Sequence, residues 1–64
     1  MSGQHREIIF EFQRVGNAVK VSAVDTATSV EVSIVGPAES GEETLKRTAL
    51  RKLEYVLTRG NKAR

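Results

Sequence analysis

Three short segments of the chain alternate apolar and polar side chains with a period of two. They span about residues 6–15, 18–25 and 29–35. This period, together with many β-branched and aromatic side chains, predicts three β-strands. One face of each strand is apolar, and these faces comprise Ile8, Phe10, Phe12, Val19, Val21, Ala23, Val30, Val32 and Ile34.

The links between the strands are too short for a helical crossover. Gly16 and Asn17 form a two-residue loop, and both residue types adopt the positive φ that primed hairpin turns require. The segment 25–28 is predicted to form a four-residue loop in which Asp25 is suited to accept backbone hydrogen bonds. The three strands are therefore predicted to be antiparallel neighbours in the order 1-2-3.

These loop lengths predict the pairing of the strands. In the first hairpin Val15 lies opposite Ala18, with the pairs Phe12–Val21 and Phe10–Ala23. In the second hairpin the predicted pairs are Ala23–Val30, Val21–Val32 and Val19–Ile34. All the apolar side chains then share one face, and the other face is polar: Lys20 lies opposite Gln13 and Ser33, with Glu11 and Glu31 on its diagonals.

A helix is predicted over about residues 41–58. Gly36-Pro37 ends the third strand, and Ser40 followed by Glu43 fits a capping box with Ser40 as N-cap. Gly60 is the expected C-terminal stop, and residues 1–5 and 60–64 are expected to be flexible tails. On a 100° wheel the apolar side chains span about 140°, and they are Leu45, Ala49, Leu50, Leu53, Val56 and Leu57.

The predicted fold is α+β, with a three-stranded antiparallel meander and one C-terminal helix packed on its apolar face. At 64 residues the chain forms a single domain, residues 1–64. The strand pairing and the helical wheel converge on one predicted core centre. It consists of Phe10, Phe12, Val21, Val32, Leu53 and Val56.

Positive charge is concentrated in the C-terminal half. Residues 1–32 carry three basic and four acidic side chains, whereas residues 33–64 carry seven and four. A solvated helix whose charges follow its dipole is the favoured interpretation. Phosphate contact by Arg47, Arg51, Lys52 and Arg59 is the alternative, although these side chains do not form one stripe and Lys46 falls within the apolar arc.

No catalytic, metal or cofactor site is expected. The chain has no cysteine and a single histidine, His5, which precedes the first strand. Glu11 and Glu31 share an open, solvated face, which lacks the burial that acid–base catalysis requires of a carboxylate. No apolar run approaches the roughly 18 residues of a membrane span, so no membrane partner is expected and a cytoplasmic location is the default.

Several runs resemble short conserved bacterial proteins of unknown function, which are small β-β-β-α proteins. The runs are residues 7–21, Ala23-Val24-Asp25 with Thr28 and Glu31-Val32, and residues 50–57. The resemblance implies no activity and no binding residue. It does imply a glycine after Thr28, where this chain has Ser29.

We interpret the chain as a non-catalytic interaction or assembly module. The alternative is weak, sequence-independent nucleic-acid binding through the basic helix. The predicted partner is an unknown protein or a second copy paired through an edge strand. Strand 3 is the expected edge, because Glu31 is its one charge, whereas strand 1 carries Glu7, Glu11 and Arg14.

Overall fold

A computed structural model of the protein describes residues 7–62, with the backbone alone described for residues 60–62. This part of the chain forms one antiparallel sheet of order 1-2-3, with a helix on one face. The α+β prediction is therefore confirmed. The elements are β1 Ile8–Val15, β2 Ala18–Asp25, β3 Val30–Pro37, a 3₁₀ turn Ala38–Ser40 and the helix α1 Glu42–Lys62.

The first hairpin has the predicted register. Val15 lies opposite Ala18, Phe12 opposite Val21 and Phe10 opposite Ala23. Gly16 has a φ of 61°, and Asn17 does not share this positive φ. A glycine with positive φ at the first central position is typical of a type II′ turn, whose twist matches that of the flanking strands.

The second hairpin is shifted by two residues from the predicted register. Ala23 lies opposite Val32 rather than Val30, and Val21 lies opposite Ile34. Because the shift is even, every side chain stays on its predicted face. The polar face changes in detail, since Lys20 lies opposite Gln13 as predicted but opposite Val35 instead of Ser33.

The shift arises because Asp25 remains the last residue of β2 and the loop moves to residues 26–29. The Asp25 carboxylate accepts a hydrogen bond from the Ala27 N–H at 3.0 Å, and its carbonyl accepts one from the Ser29 N–H at 2.7 Å. Ser29 has a φ of 66°, the left-handed region that favours glycine. This is the position at which the resemblance implied a glycine.

β3 continues two residues past its predicted end and includes Gly36 and Pro37. The Ala38 N–H donates to the Asn17 carbonyl at 2.8 Å and closes the ladder. Hydrogen-bonded and non-hydrogen-bonded pairs alternate along an antiparallel ladder, so Pro37, opposite Ala18, directs its nitrogen away from β2. A proline is tolerated there because no ladder hydrogen bond is lost.

The prediction that Ser40 is the N-cap of the helix is wrong. Ser40 belongs to the 3₁₀ turn, and the Leu45 N–H donates to the Gly41 carbonyl at 3.2 Å, which makes Gly41 the N-cap. Gly41 has a φ of 87° and a ψ of 149°, a conformation that is essentially restricted to glycine. The reversal between the turn and the helix therefore requires Gly41, and it displaces Ser40 from the capping position.

The prediction that Gly60 stops the helix is also wrong. α1 continues through Gly60 to Lys62. An interior glycine costs a helix about 1 kcal/mol relative to alanine. This cost is small enough for the helix to continue past Gly60. Residues 1–5, Ala63 and Arg64 of the predicted tails lie outside the described residues.

The core is centred on β2 and β3 instead of on all three strands. Val21, Val32 and Leu53 are buried as predicted, but Phe10 and Phe12 are only partly buried and Val56 is 37% exposed. A helix is about 10 Å wide and strands lie about 4.8 Å apart, so one helix covers two strands. α1 packs mainly over β2 and β3, and the buried apolar side chains are Val21, Ala23, Val32, Leu45, Ala49 and Leu53.

Candidate interaction surface

The outer edge of β1 presents backbone groups that β2 does not pair. The Thr26 N–H donates to the Glu7 carbonyl at 3.1 Å, which identifies residues 7 and 26 as a hydrogen-bonded pair. Such pairs alternate along the ladder, so the even-numbered residues of β1 direct their N–H and C=O groups outward. This outward-facing row, the β1 edge, comprises Ile8, Phe10, Phe12 and Arg14.

The same strand leaves part of its apolar face uncovered. Ile8, Phe10 and Phe12 pack against the margin of the core and are all partly exposed. The Lys46 ammonium lies 5.3 Å from the centre of the Phe10 ring, and Lys46 is exposed although it falls within the apolar arc of the helix. This contact places the Lys46 flank of α1 towards β1. Leu50 and Leu57 share the flank on a 100° wheel and are partly exposed. We call Ile8, Phe10, Phe12, Leu50 and Leu57 the β1 strip.

The opposite edge of the sheet, on β3, is partly occupied by a contact from α1. The pair Ser22–Ser33 belongs to the non-hydrogen-bonded set of this ladder, so the Ser33 carbonyl faces outward. The Lys52 ammonium of α1 donates to that carbonyl at 3.1 Å. Pro37 supplies no N–H at the end of the same strand. β3 is therefore a less open template than β1, and association through β3 stays a prediction.

The outer face of the sheet is polar at its centre and apolar at its corners. Glu11 lies opposite Ser22, and Gln13 lies opposite Lys20, which itself faces Val35. Ile9, 51% exposed, lies at one end of this face, whereas Val15 and Val35, 62% and 69% exposed, lie near the other end, where Val15 pairs with Ala18 and Ala18 with Pro37. The polar row that contains Glu11 and Ser22 separates the two ends, so the exposed apolar residues do not form one continuous patch.

The four predicted nucleic-acid contacts are not brought together. Lys52 binds the Ser33 carbonyl, and Arg59 donates to the Tyr55 hydroxyl at 2.9 Å, with its guanidinium 5.4 Å from the centre of that ring. Arg47 and Arg51 are exposed and lie on the side of α1 away from the sheet. Two of the four cations thus have partners within the protein, and nucleic-acid binding stays a prediction.

The residues considered for acid–base chemistry or metal binding are separated in the fold or lie outside its described part. Glu11 and Glu31 lie on the outer strands and are both exposed. Within residues 7–62, no cluster of three or more histidine, cysteine or acidic side chains is arranged to hold a metal ion. His5 lies outside the described residues. In the same part of the chain, no helix combines the length and apolar character needed to cross a bilayer.

A depression of about 510 Å³ lies beside the first hairpin. It is lined by Arg14, Asn17, Ala38 and Glu39, and the Arg14 Nε donates to the Gly16 carbonyl at 2.8 Å. These described lining residues offer a guanidinium, an amide and an exposed carboxylate, and no hydroxyl, thiol or imidazole. The depression therefore resembles an open surface hollow more than a substrate pocket.

The sequence pattern did not indicate the β1 edge or the β1 strip. The charges of strand 1 disfavoured it as an edge, yet Glu7 and Glu11 point to the outer face, and Arg14, which belongs to the β1 edge, donates to the Gly16 carbonyl of the hairpin. One signal was present: Lys46 interrupts the apolar arc of the helix. A charge at that position marks the flank where the buried surface of the helix meets solvent.

A search of the curated proteins and a search of the solved structures each found no match to this chain. A family model does match residues 5–60. The matched segment contains all three strands, the 3₁₀ turn and nearly all of α1. The chain therefore belongs to the family described as a domain of unknown function, DUF6898.

Proposed function

We propose that this protein is a non-catalytic interaction module that offers the β1 edge and the β1 strip to a protein partner. One observation carries the proposal: α1 lies over β2 and β3, so within residues 7–62 no strand or helix pairs with the backbone edge of β1, and its aromatic side chains stay partly exposed. A protein strand that adds to such an edge gains main-chain hydrogen bonds, and the neighbouring apolar side chains provide specificity.

The backbone and side-chain features of β1 act together. Ile8, Phe10 and Phe12 direct their backbone groups to the β1 edge, and their side chains belong to the β1 strip. An added strand therefore places every second side chain beside this strip. Burial of aromatic side chains contributes more to an interface than burial of smaller apolar groups, so Phe10 and Phe12 are the expected anchors.

The same geometry supports the absence of catalysis in this proposal. Glu11 and Glu31 lie on the open outer face, whereas the buried Asp25 carboxylate accepts a hydrogen bond from a backbone N–H of its own loop. The partly covered face of β1 carries apolar side chains, with Lys46 beside Phe10. Such a surface suits binding better than general acid–base chemistry, which requires positioned groups with shifted pKa values. A bacterial source and a cytoplasmic location belong to the proposal as well, and fractionation of the source cell tests the location.

A site-specific photo-crosslinking experiment tests the proposal. A benzophenone amino acid replaces Phe12 on the β1 strip, and the same group replaces Val35 in a control chain. Val35 is 69% exposed but lies on the outer face of β3. After irradiation in the source cell, we expect discrete adducts from position 12 and none above background from position 35.

Mass spectrometry of the adducts identifies the partner, and circular dichroism confirms that both labelled chains are folded. Adducts at position 12 that include another protein or a second copy support the proposal. Equal labelling from positions 12 and 35, or no adduct from either, contradicts it.

A further inference from the structure

We infer that a second copy of this chain occupies the β1 edge, in an antiparallel β1–β1 pair around a two-fold axis. This inference rests on the proposed function and names the partner. The resulting sheet has six strands in the order 3-2-1-1-2-3. Because the axis is perpendicular to the sheet, both helices lie on the same face.

The geometry of β1 is self-complementary. The residues whose backbone groups point outward are even-numbered, and their side chains all lie on the face covered by α1. In an antiparallel pair, residues that lie opposite one another share a face. Every register that pairs the outward groups therefore also joins the two β1 strips into one apolar surface.

Length and charge together select one register. With Phe10 opposite Phe12 of the second copy, Glu11 faces Glu11, and directly opposed like charges are destabilising. With Phe12 opposite Phe12, residues 9–15 of both strands pair and Glu11 faces Gln13. The other compatible registers pair five residues of Ile8–Val15 or fewer.

The selected register adds a second favourable contact. It places Arg14 opposite Phe10 of the second copy, on the strip side of the sheet, and this contact occurs twice because of the symmetry. A guanidinium beside an aromatic ring is attracted to the ring face. Phe10 is only partly buried, so its ring stays accessible to a second cation beside the Lys46 ammonium, which lies 5.3 Å from its centre.

The small core of the isolated chain favours association. Its buried apolar residues are one valine in each of β2 and β3, two leucines and two alanines. Domains of this size bury a small fraction of their surface and commonly rely on disulfides, metals or oligomerisation. The chain has no cysteine. Pairing of β1 places the two Phe12 side chains together and removes further apolar surface from water.

A charge change at Gln13 tests the inference and has a matched control at Val35. Both residues face Lys20 within the monomer, Gln13 from β1 and Val35 from β3. Gln13→Glu and Val35→Glu therefore each bring a carboxylate opposite Lys20, and both are expected to fold. In the inferred dimer only Gln13→Glu also faces Glu11 of the second copy, at two symmetric positions.

Sedimentation over a range of concentrations measures the dimer dissociation constant. We expect a reversible dimer that Gln13→Glu weakens by about tenfold and Gln13→Lys strengthens by a similar factor, since two cross-strand contacts change in each case. Val35→Glu should leave the constant within about twofold of the original value. A dimer weakened equally by Gln13→Glu and Val35→Glu overturns the inference.

Hydrogen exchange of the wild type tests the register. In the inferred dimer the amides of Phe10, Phe12 and Arg14 become protected as concentration rises, whereas the amide of Ile8 falls opposite Gly16 and stays unprotected. Protection of the Ile8 amide overturns this register, because the register with Phe10 opposite Phe12 and the one with Phe10 opposite Phe10 both pair Ile8 with a residue of β1. A chain that stays monomeric at millimolar concentration contradicts the inference that a second copy is the partner. Crosslinked adducts between position 12 and a different protein would in that case still support the proposed function.

Discussion

Leu45 of α1 packs directly on the backbone of Gly36 in β3. A β-carbon built at position 36 would overlap the Leu45 Cδ2 atom, and Leu45 itself is only 5% exposed. The absence of a side chain at position 36 therefore lets the first turn of the helix approach the sheet closely. This contact follows the 3₁₀ turn at once and helps to direct α1 along β2 and β3.

Gly36→Ala should destabilise the protein, because the added methyl group meets a buried leucine that has little room to move. Overpacking of this kind costs about 1–3 kcal/mol in the free energy of unfolding, as measured by urea denaturation. The double variant Gly36→Ala with Leu45→Ala should lose less than the two single losses combined, since the clash is absent. Additive losses would contradict the contact.

Ser29→Gly should stabilise the protein. Ser29 has a φ of 66°, which is strained for a residue with a β-carbon. Relief of this strain should exceed the added flexibility of the unfolded chain and raise the unfolding free energy by about 0.5–1 kcal/mol. The control is Ala27→Gly in the same loop, where φ is not positive, and a lower Tm is expected there. A lower Tm for Ser29→Gly would argue against the left-handed conformation.

Leu53→Ala and Val56→Ala should differ in their effects on stability. Leu53 is fully buried between the helix and the sheet, whereas Val56 is 37% exposed. Loss of a buried leucine side chain costs about 2–5 kcal/mol, and loss of an exposed valine should cost less than about 1 kcal/mol. Thermal melting of both variants measures the difference. Similar losses would indicate that Val56 belongs to the core centre, as the sequence predicted.

Ser40→Ala should change the unfolding free energy by less than about 0.5 kcal/mol, as expected for a residue that caps no helix. Gly41→Ala should cost about 1–3 kcal/mol, because alanine is strained at a φ of 87°. Chemical denaturation of the two variants distinguishes these positions. A larger loss of unfolding free energy from Ser40→Ala than from Gly41→Ala would indicate that Ser40 is the N-cap.

Retention on DNA or RNA should be weak, independent of sequence and abolished by moderate salt. Arg47 and Arg51 are exposed, but Lys52 and Arg59 have partners within the protein, so only a few phosphate contacts are available. Filter binding across a salt series measures this. Tight, sequence-selective retention at physiological salt would favour the nucleic-acid alternative over the interaction module.

The sequence by itself determined the strands, their antiparallel order and the face that each side chain occupies. These features depend on local properties: the period of two in each strand, the short loops between the strands and the helical period of the segment that follows the third strand. The register of the first hairpin was also predictable, because a two-residue loop at Gly16 permits only one pairing. The register of the second hairpin was not predictable, since a four-residue loop at residues 25–28 and one at residues 26–29 both keep the apolar side chains on one face.

Only the tertiary structure decided which two strands the helix covers. The apolar faces of all three strands look equivalent in the sequence, and Phe10 and Phe12 are its largest apolar side chains, so they were placed at the core centre. α1 instead follows directly from β3 and approaches it where Gly36 leaves space for Leu45. Because a helix spans only two strands, β1 remains partly uncovered, and the candidate interaction surface exists for that reason.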